Sequence, residues 1–474
     1  ANLDRYPDLR PFVERSGFRT VVRSLKELTV GDVRPILVLM QAGALLVLVI
    51  GCANIANLLL IRSHARLQEL ALRSAMGAGQ WRIGRQLTIE SLCLAATGTV
   101  LGLPVAYGLL GLLGRVPISR IQTIGRTGLD GRVLAFAVVL CVMAALAFGA
   151  LPALQLSRRG LEGLLHRTGR TGSSDRRANV VRGLLVVTEV ALAVVLAVGA
   201  GLLGLSLARA ASLRPGFSSD GVLTARLLIG ETVYPDDRSV QVFAQRVVDA
   251  VGSVPGVRHA AVTTVVPFSS DDNLSTISVE GATADSAQSI PLPHQSWIAG
   301  RYFAALEIPL IQGRTFDRRD TEFAPGVAIV DSVFAERNWP GQSPLGRRIS
   351  RGSSGSGPWL TVVGVAGTTK YHQLTESPGH GSVYFPQTQP GGPLRLRRAM
   401  NIVVRSDGDP AALAPAVQGA VLTVDPDLPL FDVLPMGDRV SGSLLHRRLP
   451  ALLATAFSTL GLLLAMLGVY SVTA

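Results

Sequence analysis

A run of about 20 apolar residues is long enough to cross the roughly 30 Å of hydrocarbon in a bilayer. This chain carries five such runs, Ile36 to Ile61, Leu87 to Leu113, Val133 to Leu156, Gly183 to Leu207 and Leu449 to about Tyr470. Each is read as a transmembrane helix, which makes the chain an integral membrane protein. Composition agrees, since 48% hydrophobic against 16% charged residues is a balance that soluble domains seldom carry. Cys52, Cys93 and Cys141 all fall inside predicted spans, where they read as small apolar packing residues rather than disulfide partners or metal ligands.

The formal charge of +12 would suit a nucleic-acid binder, but its placement points elsewhere. Between the first two runs lie Arg62, Arg66, Arg73, Arg82 and Arg85 against Glu69 alone. Between the third and fourth lie Arg158, Arg159, Arg167, Arg170, Arg176, Arg177 and Arg182 against Glu162 and Asp175. By the positive-inside rule both loops face the cytoplasm. Residues 1–35, the loop near Arg115 to Gly131 and the segment from about Ala208 to Arg448 then lie outside, and alternate threading of five spans gives the same answer. The basic excess is topology, and no nucleic-acid partner is expected.

The outer segment from Ala208 to Arg448 turns globular in composition, with turn signals such as Val254-Pro255-Gly256 and Pro325-Gly326. Patterning predicts a strand at Gly221 to Ile229, a helix at Arg238 to Ser253 and a strand at Val257 to Val266. The same order returns at Met400 to Arg405, Pro410 to Val424 and Leu428 to Leu434. Two β-α-β units of this kind pair as a split, ferredoxin-like sandwich. The stretch between them reads as an inserted subdomain, with "GVAIVDSVFAERNWPGQSPLG" as strand then helix, "WLTVVGVAG" as a buried strand and "GSSGSG" at Gly352 to Gly357 as a flexible loop. The expected fold class is a membrane α-helical bundle plus an α+β extracytoplasmic domain.

Catalytic signatures are missing from the sequence. The two lysines, Lys26 and Lys370, stand in no G-x-x-x-x-G-K-[ST] setting, so no phosphate-cradling loop is expected. His372 and His380 lie near each other without an H-E-x-x-H pattern or a cysteine partner and read as surface histidines, with no metal expected. There is no G-x-S-x-G elbow.

Within "IRSHARLQELALRSAMGAGQWRIG", residues 61–84, Arg62, Arg66, Glu69 and Arg73 share one helical face, while Leu67, Leu70, Ala71, Ser74 and Ala75 share the other. Glu69 and Arg73 form an i,i+4 pair, and Gly77 is placed to cap the helix. Two readings fit, an interfacial helix among lipid headgroups and a helix that docks a protein.

The longer stretch "GCANIANLLLIRSHARLQELALRSAMGAGQWRIGRQLTIESLCLAATGTVLGLPVA" resembles the permease signature of the MacB/FtsX family of ABC transporters. "AGRYFAALEIPLIQGRTFDRRDTEFAPGVAIVDSVFAERNWPGQSPLGRRI", "VVGVAG" and "DGDPAALAPAVQGAVLTVDPDLPL" resemble that family's periplasmic core domain. The resemblance, which is to the duplicated permease type, implies that Arg66, Gln68, Glu69, Leu70, Ala71, Leu72, Arg73, Met76, Gly77 and Ala78 form the segment that couples to a separate ATPase subunit. Ser74 and Met76 depart from it, standing where the family often has an arginine and a leucine.

The same resemblance divides the chain into residues 1–35, the tail of a first extracytoplasmic domain; 36–156, an FtsX-like permease domain with three transmembrane helices; 157–182, a cytoplasmic linker; and 183–207, transmembrane helix four. Residues 208–448 would be a MacB-like periplasmic core domain, and 449–474 the first helix of a second, truncated permease domain. It implies a multi-pass protein of the bacterial inner membrane that works by mechanotransmission, binds no cofactor itself and leaves ATP and Mg to the partner ATPase. The expected partners are that MacB-like ATPase and the lipid bilayer, with a periplasmic adaptor or outer-membrane channel as further candidates. The alternative is an FtsX-like transmembrane regulator of an extracellular enzyme, without transport; an outward-facing membrane enzyme ranks last.

Polar residues in the spans are few: Gln41, Asn54, Asn57, Glu90 and Glu189. Asn54 and Asn57 share a face and are expected to bond between helices rather than line a transport path, and Gly98 with Gly102 offers a small-x-x-x-small packing site. Glu90 and Glu189 lie near the cytoplasmic ends. Finally, Arg34-Pro35 before the first span is echoed by Arg447-Arg448-Leu449-Pro450 before the last. The echo leads to the expectation of a longer chain with eight spans and two coupling helices.

Overall fold

The computed structural model describes residues 22, 24, 34–75, 80–113, 130–139, 142–143, 174–269, 271–281, 292–352, 357–377, 379–389 and 398–473. The chain divides into two compact units: one comprises residues 208–444 with 1–25, the other residues 26–207 with 445–474.

In the second unit the apolar runs form long helices: α1 (Arg34–Ala75), α2 (Gln80–Leu113), α3 (Ser174–Ala211) and α9 (Leu445–Thr473). Helix is what hydrocarbon demands, because it satisfies backbone groups without water. Among the described residues, three stretches are long and apolar enough to cross a membrane by length and composition, Ile36–Leu58, Arg182–Ala211 and Leu445–Ser471. Helix α2 occupies the second expected span, with Pro104 inside it. Residues 133–139 of the third are helical, and its expected end at Leu156 lies outside the described residues, as does Cys141. Leu45, Val195, Leu202, Leu463 and Met466 turn outward and are exposed, the arrangement suited to a lipid solvent.

Helices α1, α3 and α9 share a small core of Ile50, Ala193, Leu196 and Ala465. Their relative directions follow from which residues meet. Gly43 of α1 lies under the ring of Phe457, and Asn57 reaches Ser471, so α1 and α9 run parallel. Leu196 lies against Gly461 and Glu189 against Gly468, so α3 runs antiparallel to α9.

The other unit is built on one mixed sheet. Strand β1 (Val222–Leu228), α4 (Asp237–Gly252) and β2 (Val257–Thr263) form the first strand-helix-strand unit; β10 (Ala399–Ser406), α7 (Ala414–Val424) and β11 (Phe431–Pro435) form the second. They interleave in the order β11-β1-β10-β2, with antiparallel neighbours throughout. Helix α4 buries Val240, Phe243, Ala244, Val247 and Val251, a stripe at helical spacing that packs on Leu223, Leu227, Ile402 and Val404. Its N-terminus is closed by a capping box between Asp236 and Ser239. The edge strand is tied down by the buried Arg439 of α8 (Met436–Ser443), which donates to Thr224 Oγ1 at 2.6 Å and pairs with Asp432 at 2.8 Å.

Between β2 and β10 come β3 (Ile277–Val279), β4 (His294–Gly300), α5 (Tyr302–Ala305), β5 (Leu310–Gly313), β6 (Val327–Asp331), α6 (Ser332–Asn338), β7 (Arg348–Arg351), β8 (Trp359–Ala366) and β9 (Ser382–Pro386). Sequence patterning treats this stretch as a subdomain apart, yet its strands extend the same sheet. Residues Ala261, Val262 and Thr263 of β2 pair with Gly300, Ala299 and Ile298 of β4, and the order continues β4-β9-β6-β8-β7-β3, with β5 on β8.

Asp331 ends β6 and caps α6, accepting from the Phe334 N–H at 2.8 Å. Gly381 sits beside it with φ +77°; a Cβ there would come within 2.3 Å of Asp331 Oδ1 and 2.6 Å of the Phe334 nitrogen, so only glycine fits. Desolvation raises the Asp331 carboxyl to about 6, with backbone N–H groups opposing the shift. Between the unfolded value of 3.8 and about 6 the native state holds the extra proton, so this group favours folding at low pH and that contribution is lost as pH rises through 6. Asp331→Asn, which keeps a capping side chain, is therefore expected to flatten that dependence and to raise stability at neutral pH by up to about 3 kcal/mol. Denaturant unfolding of the purified chain at pH 4.5 and 7.5, followed by tryptophan fluorescence, checks it; equal pH dependence in both proteins would refute it.

Candidate coupling segment and intramembrane polar cluster

Arg66, Gln68, Glu69, Leu70, Ala71, Leu72 and Arg73 lie on the last turns of α1, and Met76, Gly77 and Ala78 lie outside the described residues. The basic segment is helical, as its spacing predicts. It continues the first span without a break, as one helix of 42 residues, about 63 Å long at 1.5 Å per residue. The physical reason is local. From Cys52 to Ala75 there is neither glycine nor proline, so helix propensity persists where composition changes from apolar to basic at Arg62. Helix α2 starts soon after, at Gln80.

Farther back along α1, the structure gathers polar side chains from three helices. Asn54 Nδ2 donates to the Leu464 carbonyl at 2.7 Å, and Asn57 Nδ2 donates to Ser471 Oγ at 3.0 Å. Ser471 Oγ in turn donates to the Gly468 carbonyl at 2.8 Å. Glu189 of α3 comes to the same point of α9 as the Asn54 side chain, and Asn54, Asn57 and Glu189 are all buried. The cluster closes around Gly468, where a Cβ would sit 2.2 Å from Glu189 Oε2 and 2.6 Å from Asn54 Oδ1. With no side chain at this point, α9 lets both polar groups approach it.

The spacing of Asn54 and Asn57 places both on one face, and the structure shows what that face meets. Ser471 and Gly468 carry no sequence signal as partners; the echo between Arg34 and Arg448 is the one hint, because Asn57 and Ser471 stand at the same separation along the chain. Glu90 is exposed on α2 and accepts from Gln86 of the same helix at 3.3 Å. Beside Gly98 and Gly102, no described atom lies within 4 Å of an added Cβ, whereas the close approaches among described helices fall at Gly43, Gly461 and Gly468.

Interhelical bonds of this kind couple by about 0.6 kcal/mol on average in membrane proteins. A double-mutant cycle between Asn57→Ala and Ser471→Ala, read from thermal unfolding in detergent, is expected to return a coupling of that order. Strict additivity would mean the bond contributes nothing.

Comparison with known proteins places these features. The family model for the FtsX-like permease C-terminal domain matches residues 42–161, and that for the MacB-like periplasmic core domain matches residues 190–420. The macrolide export ATP-binding/permease protein MacB of Hyphomonas neptunium is 30% identical over 121 residues, covering 26% of this chain and 18% of that protein. Its namesake in Rhodopseudomonas palustris (strain HaA2) is 33% identical over 123 residues, covering 25% and 17%. The aligned part is thus less than a fifth of these relatives' length. Among solved structures, the periplasmic region of MacB from Actinobacillus actinomycetemcomitans aligns at 15% identity and a TM-score of 0.32, over 47% of this chain and 91% of that one. The extracellular domain of YknZ, a noncanonic ABC-type transporter from Gram-positive bacteria, aligns at 14% and 0.30, over 44% and 100%. With an FtsX-like domain over its first spans and a MacB-like core domain after them, the chain belongs to the MacB/FtsX-like permease family.

Proposed function

We propose that this chain is the permease subunit of a MacB-type ABC transporter, a multi-pass protein of the bacterial inner membrane. It couples ATP hydrolysis by a separate ATPase subunit to movement of its extracytoplasmic domain, and so drives export or extraction of a substrate. ATP and Mg belong to the ATPase, and a periplasmic adaptor or outer-membrane channel would complete the path. In the extracytoplasmic domain, the interleaved strand-helix-strand units would form a ferredoxin-like platform and the inserted strands its extension.

One observation carries the reading: the first span and the basic segment are a single helix. Beyond Leu58, where the apolar stretch ends, 17 residues remain, about 25 Å of helix. A continuous helix of that length projects from the membrane surface rather than lying in it, which favours docking to a protein over an interfacial position. It also acts as a lever, because a push on the projecting end tilts the span as a rigid rod. Lys370 donates to the Leu374 and Glu376 carbonyls and so fastens a loop of the extracytoplasmic unit.

Two tests follow from the lever. Exchanging Glu69→Arg with Arg73→Glu keeps their i,i+4 attraction while inverting the charge offered to a partner. Co-purification with the cognate ATPase is expected to be lost while membrane insertion is unchanged, and an intact complex would leave the segment interfacial. Ile61→Pro, placed between span and docking end, breaks the rod at a cost of roughly 3 kcal/mol in helix stability. The expected result is an ATPase that still binds and hydrolyses but no longer changes the protease accessibility of the extracytoplasmic domain. Normal ATP-dependent accessibility changes in this variant would exclude transmission along α1.

A further inference from the structure

The segments that follow β2 and β8 converge on the first residue of β4, and they bring Asp272, His294 and His372 together. Asp272 Oδ1 lies 3.2 Å from His294 Nδ1, and Asp272 Oδ2 lies 3.6 Å from His372 Nε2. One donor atom from each residue falls within 4.8 Å of the other two. Ligand atoms bound at about 2.0–2.1 Å around a tetrahedral zinc ion are spaced by roughly 3.3 Å, so small side-chain rotations bring this trio onto one ion.

Each arm is held by the backbone. Gln295 N–H donates to the Asn273 carbonyl at 2.8 Å and the Asn273 side chain returns a bond to the Gln295 carbonyl at 2.9 Å, fixing the Asp272 segment to β4. His294 N–H donates to the Gly381 carbonyl at 3.0 Å. The His372 loop is folded around the Glu376 carboxylate, which accepts the N–H groups of Tyr371, His372 and Gln373. The His294 ring stacks on Tyr371 with centroids 4.1 Å apart, which sets its plane. His294 Nδ1 is shut off from solvent and faces the Asp272 carboxylate. Exposed acidic clusters lack this preparation; here a buried imidazole nitrogen faces a carboxylate and a second imidazole.

We propose that Asp272, His294 and His372 form a binding site for a divalent transition-metal ion of the zinc class on the extracytoplasmic unit. Two imidazoles and a carboxylate suit a borderline-soft ion, and the exposed side of Asp272 and His372 leaves a further position for water. A bound ion ties the two loops to β4 and stabilises that unit in proportion to its concentration. His380, the nearer histidine in sequence, stands outside the cluster.

The test is calorimetric titration of ZnCl2 into the full, untagged chain in detergent, after stripping with a chelator. One ion per chain is expected, together with a rise in the unfolding midpoint on zinc addition. His372→Ala and Asp272→Asn, both at exposed positions, are expected to weaken binding by roughly tenfold or more, whereas His380→Ala binds as the parent chain does. Should His372→Ala fail to fold, Asp272→Asn decides the matter. Unchanged zinc affinity in the folded variants, or no binding by the parent chain at millimolar zinc, would overturn the site.

Discussion

A polypeptide in hydrocarbon has only itself to bond to, and in this protein that constraint reaches past the membrane. Once α1 is compelled to be helical from Ile36 to Leu58, nothing in the next 17 residues breaks it. Nucleation is the costly step in forming a helix and propagation the inexpensive one. The span therefore serves as the nucleus for the basic segment, which on its own would be short for a stable helix in water. The arginines need no tertiary core to hold them in order, and the proposed docking element inherits its rigidity from the bilayer.

Period and length in the sequence locate most of the elements. Long apolar runs mark α1, α3 and α9, and short apolar runs bounded by turn residues mark β1, β2, β6, β8 and β10, because a strand covered on both faces is apolar along most of its length. Asn54 and Asn57 are likewise readable as a shared face. What spacing cannot carry is pairing between distant segments. The bond from Asn57 to Ser471, the registry of β2 with β4 and the meeting of His294 with Asp272 and His372 depend on which surfaces close on each other, and no single segment encodes that. The join between the first span and the basic segment has a different origin. At Arg62 polarity changes abruptly but helix propensity does not, and the backbone follows propensity.

The pairing of β2 with β4 changes how the extracytoplasmic unit is understood mechanically. A subdomain hung on two loops could pivot, but one that continues the sheet cannot do so without breaking ladder bonds at Ala261, Val262 and Thr263. Buried cores line both faces of the sheet, with Phe243, Val247 and Val417 in one cluster and Tyr302, Leu306 and Tyr384 in the other. Forces applied to any strand are thereby spread across the sheet, and flexibility is confined to the loops that leave it.

The parallel match of α1 with α9 bears on self-recognition. At one level Gly43 faces the ring of Phe457, and at another Asn54 faces the bare backbone of Gly468. Large meets small each time, and the roles alternate between the helices. Two copies of α1 in the same register would bring Gly43 to Gly43 and Asn54 to Asn54, and neither would meet the ring or the bare backbone that α9 offers. Two copies of α9 would clash at Phe457. The two helices have become a hand and its glove: at both levels the fit needs one of each kind, and neither surface is its own complement.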